Sequence, residues 1–396
     1  MKFNYKKLGE LIEISEEKNK ELTVTNLVGM NINKEFMPSV ANTIGTNLSR
    51  YKIIKKDQFA YNNMQVGRDR TIRVARYSDE TPSIISPAYK IFEIIDKKVL
   101  NAEFLMLYFL RSEFDRLCWF YTDSSVRGSL DWSQFCDIEV PVPPIEIQLK
   151  IVEIYNFLNE RINLKHKINN NLFSQGQLLF DNYILKKYDD EQPQNWKTIK
   201  FSEISTVQNG YAFKSKDYCE NGCNMIRTKD IDSFGFISND NLIKLPQSFY
   251  DSNKYDNFKF ERLDTITVMV GASIGKMGLI TDINIPSLQN QNMWRFRPKS
   301  EDISAPFIYY YVKKINKEII NMATGSARSF YRKNLFLDYE CILPNKDYLN
   351  KINSYLMKLF NIISNNVAEI DNLEKLRDTI IPKLMAGEIN LSGIDR

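Results

Sequence analysis

The chain has 396 residues, 43% of them hydrophobic and 26% charged, with a formal net charge of +4. That length carries about two to four domains, each with its own core, and the weak basic balance permits a nucleic-acid partner without arguing for one, so the placement of the charges matters more than their sum. A charged-then-apolar leader and an apolar run of about twenty residues are both missing from the sequence, so a soluble, cytoplasmic protein with no membrane partner is expected.

The five cysteines form no framework. Cys219 and Cys223 are close in sequence, but no second pair or nearby histidine completes a zinc site, and reduced structural thiols are expected. The single histidine, His166, falls in a polar helical stretch and is expected to be solvated. A general base needs convergent partners, and none stand near it in sequence, so His-dependent catalysis is poorly supported.

In chain order, the first half opens with Phe3-Asn4-Tyr5-Lys6-Lys7-Leu8-Gly9-Glu10-Leu11. A strand is expected at Asp57–Tyr61, leading to Gly67, and another at Ala88–Ile94, where apolar and polar residues alternate as in a half-buried strand. A short helix follows at Ala102–Arg111, then the turn Ser125-Val126-Arg127-Gly128-Ser129 and the segment Phe135-Cys136-Asp137-Ile138-Glu139-Val140-Pro141-Val142-Pro143. After the proline comes a long helical stretch with Ile151, Tyr155, Leu158, Ile162, Lys165, Asn169, Leu172, Gly176, Leu179 and Tyr183 at alternating steps of four and three. Asp189–Gln194 reads as a polar link.

The second half repeats this order. Trp196–Ile204 matches the opening; strands are expected at Asp264–Val268, leading to Gly275, and at Met293–Arg297; a short helix is expected at Ala305–Lys314. Ser326-Ala327-Arg328 and Phe336-Leu337-Asp338-Tyr339-Glu340-Cys341-Ile342-Leu343-Pro344 stand 201 residues after their counterparts, as Ser125 to Ser326 and Phe135 to Phe336 show. The second long stretch carries Ile352, Leu356, Leu359, Ile363, Asn366, Ile370, Leu373, Arg377, Ile380 and Leu384 in the same rhythm, an a/d heptad seam. Pro382 should end or kink this helix in its last turn, and the tail Gly387–Leu391 should turn back onto a globular module. Each long helix has about forty residues and so spans roughly 60 Å. Polar residues interrupt both seams at one layer, Lys165 and Asn366; if the helices run antiparallel, these layers meet and fix the register. A repeat this long is not a solenoid. It implies two similar modules related by an approximate two-fold.

The expected fold is therefore α+β, with two similar mixed α/β domains separated by two long antiparallel coiled-coil helices. The boundaries read 1–143 for the first domain, 144–188 for the first helix, 189–344 for the second domain, and 345–396 for the second helix and tail.

Gly271-Ala272-Ser273-Ile274-Gly275-Lys276-Met277 imitates a P-loop but is one residue short between its glycines, and Met277 replaces the magnesium-binding hydroxyl. A tight glycine turn after a buried strand is the preferred reading. The sequence also lacks an Asn/Asp-Pro-Pro-aromatic tetrapeptide and H-E-x-x-H, so no catalytic residue is assigned. Basic residues cluster instead: Arg68, Arg70, Arg73 and Arg76 past Gly67; Lys276, Arg295 and Arg297 in the related region; and Arg328, Arg332 and Lys333 beside Tyr331. Arginines and lysines with Ser, Asn, Gln and Tyr on loops are the groups that contact phosphates and base edges. The candidate DNA-binding set is Arg68, Arg70, Arg73, Ser125, Arg127, Ser129, Tyr211, Lys214, Ser273, Lys276, Asn290, Gln291, Ser326, Arg328, Tyr331, Arg332 and Lys333.

On Val126-Arg127-Gly128-Ser129-Leu130, Asn209-Gly210-Tyr211-Ala212-Phe213-Lys214-Ser215, Met269-Val270-Gly271-Ala272-Ser273-Ile274-Gly275-Lys276 and Ile381-Pro382-Lys383-Leu384-Met385-Ala386-Gly387-Glu388-Ile389, together with the duplicated order, the chain resembles the specificity subunits of type I restriction–modification systems along essentially its full length. The second proline-rich segment, Leu343-Pro344-Asn345, is weaker than Pro143-Pro144 and leaves the start of the second helix open. The resemblance implies two target-recognition domains reading a bipartite double-stranded DNA site. It implies two modification subunits that bind S-adenosylmethionine and methylate adenine, and restriction subunits that use ATP and Mg to translocate and cleave. This chain would bind no cofactor itself. The competing readings are a stand-alone DNA-modifying or nuclease enzyme and a coiled-coil scaffold that binds protein.

Overall fold

A computed structural model describes residues 3–39, 45–64, 66–122, 128–322, 331–389 and 391, with only the backbone of Gly67 and Arg68. The chain forms two compact units, Met1–Asn159 with Lys375–Arg396, and Glu160–Glu374.

In the first unit an antiparallel sheet runs in the order Ile12–Ile14, Lys90–Ile94, Phe59–Asn62, Arg73–Arg76. Asn4–Lys7 pairs separately with Glu139–Val142. A small sheet of Glu17–Lys18, Lys52–Ile54 and Ser83–Ile85 is laid alongside, with a hairpin of Val28–Met30 and Phe36–Pro38. The helix Ala102–Leu110 starts where expected because Asn101 accepts from the Phe104 N–H at 3.0 Å, a side-chain N-cap. It stops at Arg111, whose extended backbone (ψ 137°) restarts the chain as Ser112–Phe120. Phe59 stacks on Phe92 at 5.0 Å, and Phe104, Phe109, Phe114 and Phe135 fill the same core.

The second unit repeats the plan. Its four-stranded antiparallel sheet has the order Ser205–Asn209, Met293–Pro298, Thr265–Val268, Met277–Leu279, and Lys197–Lys200 pairs with Glu340–Leu343. The added sheet differs: Ile243–Leu245, Cys223–Ile226 and Ser287–Gln289, the last two parallel. Ala305–Met322 is one uninterrupted helix, longer than expected from the sequence. Met293–Phe296 is not a half-buried strand. It is buried on both faces, because Trp294 and Phe296 pack into one hydrophobic core and Met293 into another on the opposite side of the sheet.

Each long helix contributes to both cores. Ile151, Val152, Ile381, Leu384 and Met385 belong to the first. Ile352, Leu356, Phe360, Ile363 and Val367 belong to the second. The buried stripe of the second helix therefore departs from the strict seam, taking Phe360, Val367 and Ile381, while Leu359, Leu373 and Ile380 are only half-buried. A straight helix repeats every 3.6 residues, and packing on a module selects that period over 3.5.

In the second unit the helices run antiparallel: Arg161 and Lys165 meet Glu369, and Lys165 meets Asn366. The second long helix, Lys346–Met385, is capped by Asn345, which accepts from Tyr348 N at 3.0 Å, so its start is fixed despite the weak proline signal. Pro382 lies in its last turn as expected, and beyond it Ile389 and Leu391 return to the core of the first unit. The first long helix, Ile145–Phe180, continues through a π segment at Asp181–Lys186 and a last turn at Lys187–Glu191. Asp189–Glu191 is thus helical rather than linker. The break comes at Gln192 (φ 43°), where Pro193 disfavours helical backbone in the residue before it.

Candidate nucleic-acid interface

The strand ends decide where the basic and amide side chains gather. In the second unit, Asn209 pairs with Trp294, so the chain leaving Ser205–Asn209 and the chain entering Met293–Pro298 share one end of the sheet. Met269 N donates to Asn292 O at 3.0 Å, which sets the glycine turn beyond Thr265–Val268 at that same end. Tyr211 bridges to Asn290, and its N–H donates to Gln289 O at 3.1 Å. A Cβ on Gly210 would lie 1.8 Å from Asn290 O, so only glycine permits this approach. Asn290 Oδ1 accepts from Gln291 N at 2.7 Å, leaving the Gln291 side chain exposed, as is Lys214. Behind them an aromatic cluster sets Tyr211 at 4.9 Å from Phe213, 5.3 Å from Tyr255 and 5.2 Å from Phe258.

The P-loop imitation is a tight turn between antiparallel strands, with Gly271 at φ +91° and Gly275 at φ +81°. Ser273 is exposed on it, whereas Lys276 donates to Ile231 O at 2.6 Å. Asn316 clamps the turn: its Nδ2 donates to Gly275 O at 2.8 Å, and its Oδ1 accepts from Tyr331 OH at 2.6 Å. Tyr331 is buried and stacked on Trp294 at 5.2 Å, and burial pushes its phenol up to about 12. It is therefore a clamp under the surface and not a contact on it. Arg332, exposed, and Lys333, half-buried, follow at the start of Lys333–Leu337.

In the first unit the equivalent sheet end holds the connection from Phe59–Asn62 to Arg73–Arg76, with the short helix Val66–Asp69 in it. Arg70 is exposed there, with its guanidinium 5.0 Å from the Trp119 ring centre. Arg73 pairs with Asp69 at 3.0 Å. Leu130 N donates to Asn63 O at 3.2 Å, which brings Ser129 beside the loop. Of the remaining candidates, Ser125, Arg127, Ser326 and Arg328 lie outside the described residues, and so does the Arg68 side chain.

Three arginines of the basic clusters are structural. Arg76 binds Asp57 and Glu103, each at 2.8 Å. Arg297 grips Asp264 through Nε at 2.8 Å and Nη2 at 2.6 Å. Arg295 is buried and donates to Lys259 O at 2.6 Å. Spacing along a strand could not separate these from exposed cations, because their partners come from distant segments. Asp264 has a counterpart in Gln58. Leu263 N donates to Ile280 O and Ile280 N to Asp264 O, just as Asp57 N donates to Tyr77 O and Tyr77 N to Gln58 O. Gln58 reaches Glu93 at 3.0 Å where Asp264 is held by Arg297. The two strands therefore match with Gln58, not Asp57, opposite Asp264.

His166 is likewise not a solvated position. Its ring stacks on Phe234 at 3.8 Å and 14°, its Nδ1 is buried without a hydrogen-bond partner among the described residues, and burial lowers its pKa below 6.5 against the pull of Asp232. The sequence reading also missed Trp119, which meets Arg70, and the exposed Phe120 and Tyr121 that follow it. The signal was there as three consecutive aromatic residues. No described helix is long and apolar enough to cross a membrane.

The MjaVIII specificity subunit of a type I restriction enzyme from Methanocaldococcus jannaschii is 26% identical over 296 residues, 69% of this chain and 68% of that one. The MjaIX specificity subunit of the same organism is 23% identical over 328 residues, covering 76% and 72%. A solved type I restriction–modification S subunit from M. genitalium shares the fold, with a TM-score of 0.54 at 16% identity over 97% of this chain and 96% of that one. The type I restriction modification DNA specificity domain matches twice, over residues 1–173 and 193–375, and the chain belongs to that family.

Proposed function

We propose that this chain is the DNA sequence-recognition subunit of a type I methyltransferase and restriction assembly, each unit reading one half of a bipartite duplex target. One observation carries the reading: the same end of the same four-stranded sheet carries exposed polar side chains in each unit, Arg70 in the first and Lys214 with Gln291 in the second, while the sheets added beside it differ. A common frame with divergent recognition surfaces is what reading two different half-sites requires. Cations on these loops supply the phosphate contacts that set orientation, and the amides supply base-edge contacts.

The role is recognition without catalysis. Adenine methylation needs the base flipped into a pocket. That pocket, with its S-adenosylmethionine, is assigned to two modification subunits, and ATP and Mg are assigned to restriction subunits. Large apolar side chains exposed on the long helices, among them Phe157, Leu164, Leu178, Tyr355 and Ile362, offer the modification subunits a surface.

The test is a domain exchange. Residues 1–143 are replaced by the first domain of another subunit, and methylated adenines are mapped in a host carrying the modification subunits. The expected result is a change in one half of the methylated site with the other half kept. A change in both halves, or turnover by the purified chain alone with S-adenosylmethionine and magnesium, overturns the reading.

A further inference from the structure

Large apolar residues exposed singly are ordinary, but contiguous ones mark a contact surface. Trp119, Phe120 and Tyr121 are 44%, 79% and 44% exposed at the end of Ser112–Phe120. In the second unit, 201 residues on, Ile320 and Met322 at the end of Ala305–Met322 are 43% and 71% exposed. The two ledges are built alike. Trp119 lies under the Arg70 guanidinium, on the loop past Phe59–Asn62. Ile320 is packed so closely on Gly275, in the turn past Thr265–Val268, that a Cβ there would lie 2.5 Å from its Cδ1. Each ledge thus stands at the sheet end that carries the loop cations.

The chemistry selects the occupant. Arg70 makes no ion pair among the described residues, so a positive charge is held over the Trp119 ring of the ledge. That charge suits a polyanion. An apolar ledge cannot solvate a phosphate, but it matches the faces of bases, and apolar side chains pressed against a base step unstack it in part. We propose that Trp119–Tyr121, and Ile320 with Met322, are apolar wedges against base steps of the bound duplex, one in each half-site. This rests on the DNA-recognition reading above and adds a contact that carries no charge.

The experiment uses the chain assembled with its modification subunits and duplexes of the methylated sequence carrying 2-aminopurine at single positions. Wild type should raise the fluorescence at one step in each half-site away from the methylated adenine, whose own flipping by the modification subunits would also give a signal. Phe120→Ala with Tyr121→Ala should remove the rise in the first half-site only and weaken specific binding by about tenfold or more. The salt dependence should stay unchanged, because no cation is removed. Phe120→Leu, which keeps an apolar wedge, should retain most of the affinity. A folded double variant with wild-type affinity and signal overturns the proposal. So does a variant that is folded alone but fails to assemble, since the ledge is then a protein interface. If wild type itself binds this duplex no better than an unrelated one, the recognition reading fails instead.

Discussion

Lys165 Nζ donates to Asn366 Oδ1 at 2.9 Å, joining the polar layers of the two long helices. Asn366 Nδ2 donates onward to the fully buried Asn169 at 2.8 Å, and Lys165 also meets Glu369 at 2.7 Å. Asn366→Ala would leave Lys165 its carboxylate but strip Asn169 Oδ1 of its donor. An unsatisfied buried acceptor costs about 1–3 kcal/mol, so chemical denaturation should show a loss of that size. Replacing both asparagines by leucine should recover much of it. An unchanged midpoint for the single variant would mean that water reaches the layer.

Gly176 is a close approach on the first long helix. A Cβ there would lie 2.0 Å from the Tyr310 hydroxyl, which is buried and donates to Phe173 O at 3.0 Å. Alanine favours a helix by about 1 kcal/mol over glycine, but overpacking costs about 1–3 kcal/mol. The second effect should win, and Gly176→Ala should melt at a lower temperature than wild type. A higher melting temperature would show that Tyr310 moves aside freely.

Arg297 is expected to act in folding and not on DNA. Asp264 is almost wholly buried, and burial raises its pKa against the pull of Arg297. Arg297→Met leaves that buried carboxylate only the more distant Arg295, at 3.9 Å, and should cost about 3 kcal/mol near neutral pH. The loss should shrink toward acid pH, where the carboxyl takes a proton and the charge disappears. The folded fraction should bind DNA with an unchanged salt slope. A slope lower by about one would place Arg297 on a phosphate.

His166, the single histidine, gives one resolvable NMR titration. Its folded pKa lies below 6.5, so between the two values the unfolded chain binds more protons than the folded chain. Stability should therefore fall as pH drops from 6.5 toward the folded pKa. His166→Phe, which keeps a ring against Phe234, should lose this pH dependence. A titration at or above 6.5 would contradict the buried stack.

The duplicated frame, the strands around Phe59 and Ile266, the long helices and the meeting of Lys165 with Asn366 were all legible in the sequence, because periodicity and repetition are local signals that backbone geometry must obey. The glycine turn after Val268 was legible for the same reason. Which cations are exposed was not. Arg76 and Arg297 look like Arg70 along the chain, but carboxylates from distant segments neutralise the first two, while the third meets the Trp119 ring and makes no ion pair among the described residues. Tyr331 and His166 followed the same rule: a buried hydroxyl clamped by Asn316 and an imidazole stacked on Phe234 depend on elements far apart in sequence. The sequence alone determined the repeat and its helical frame. Only the tertiary structure decided which charges remain for a partner, because burial and pairing are set by the elements that packing brings together.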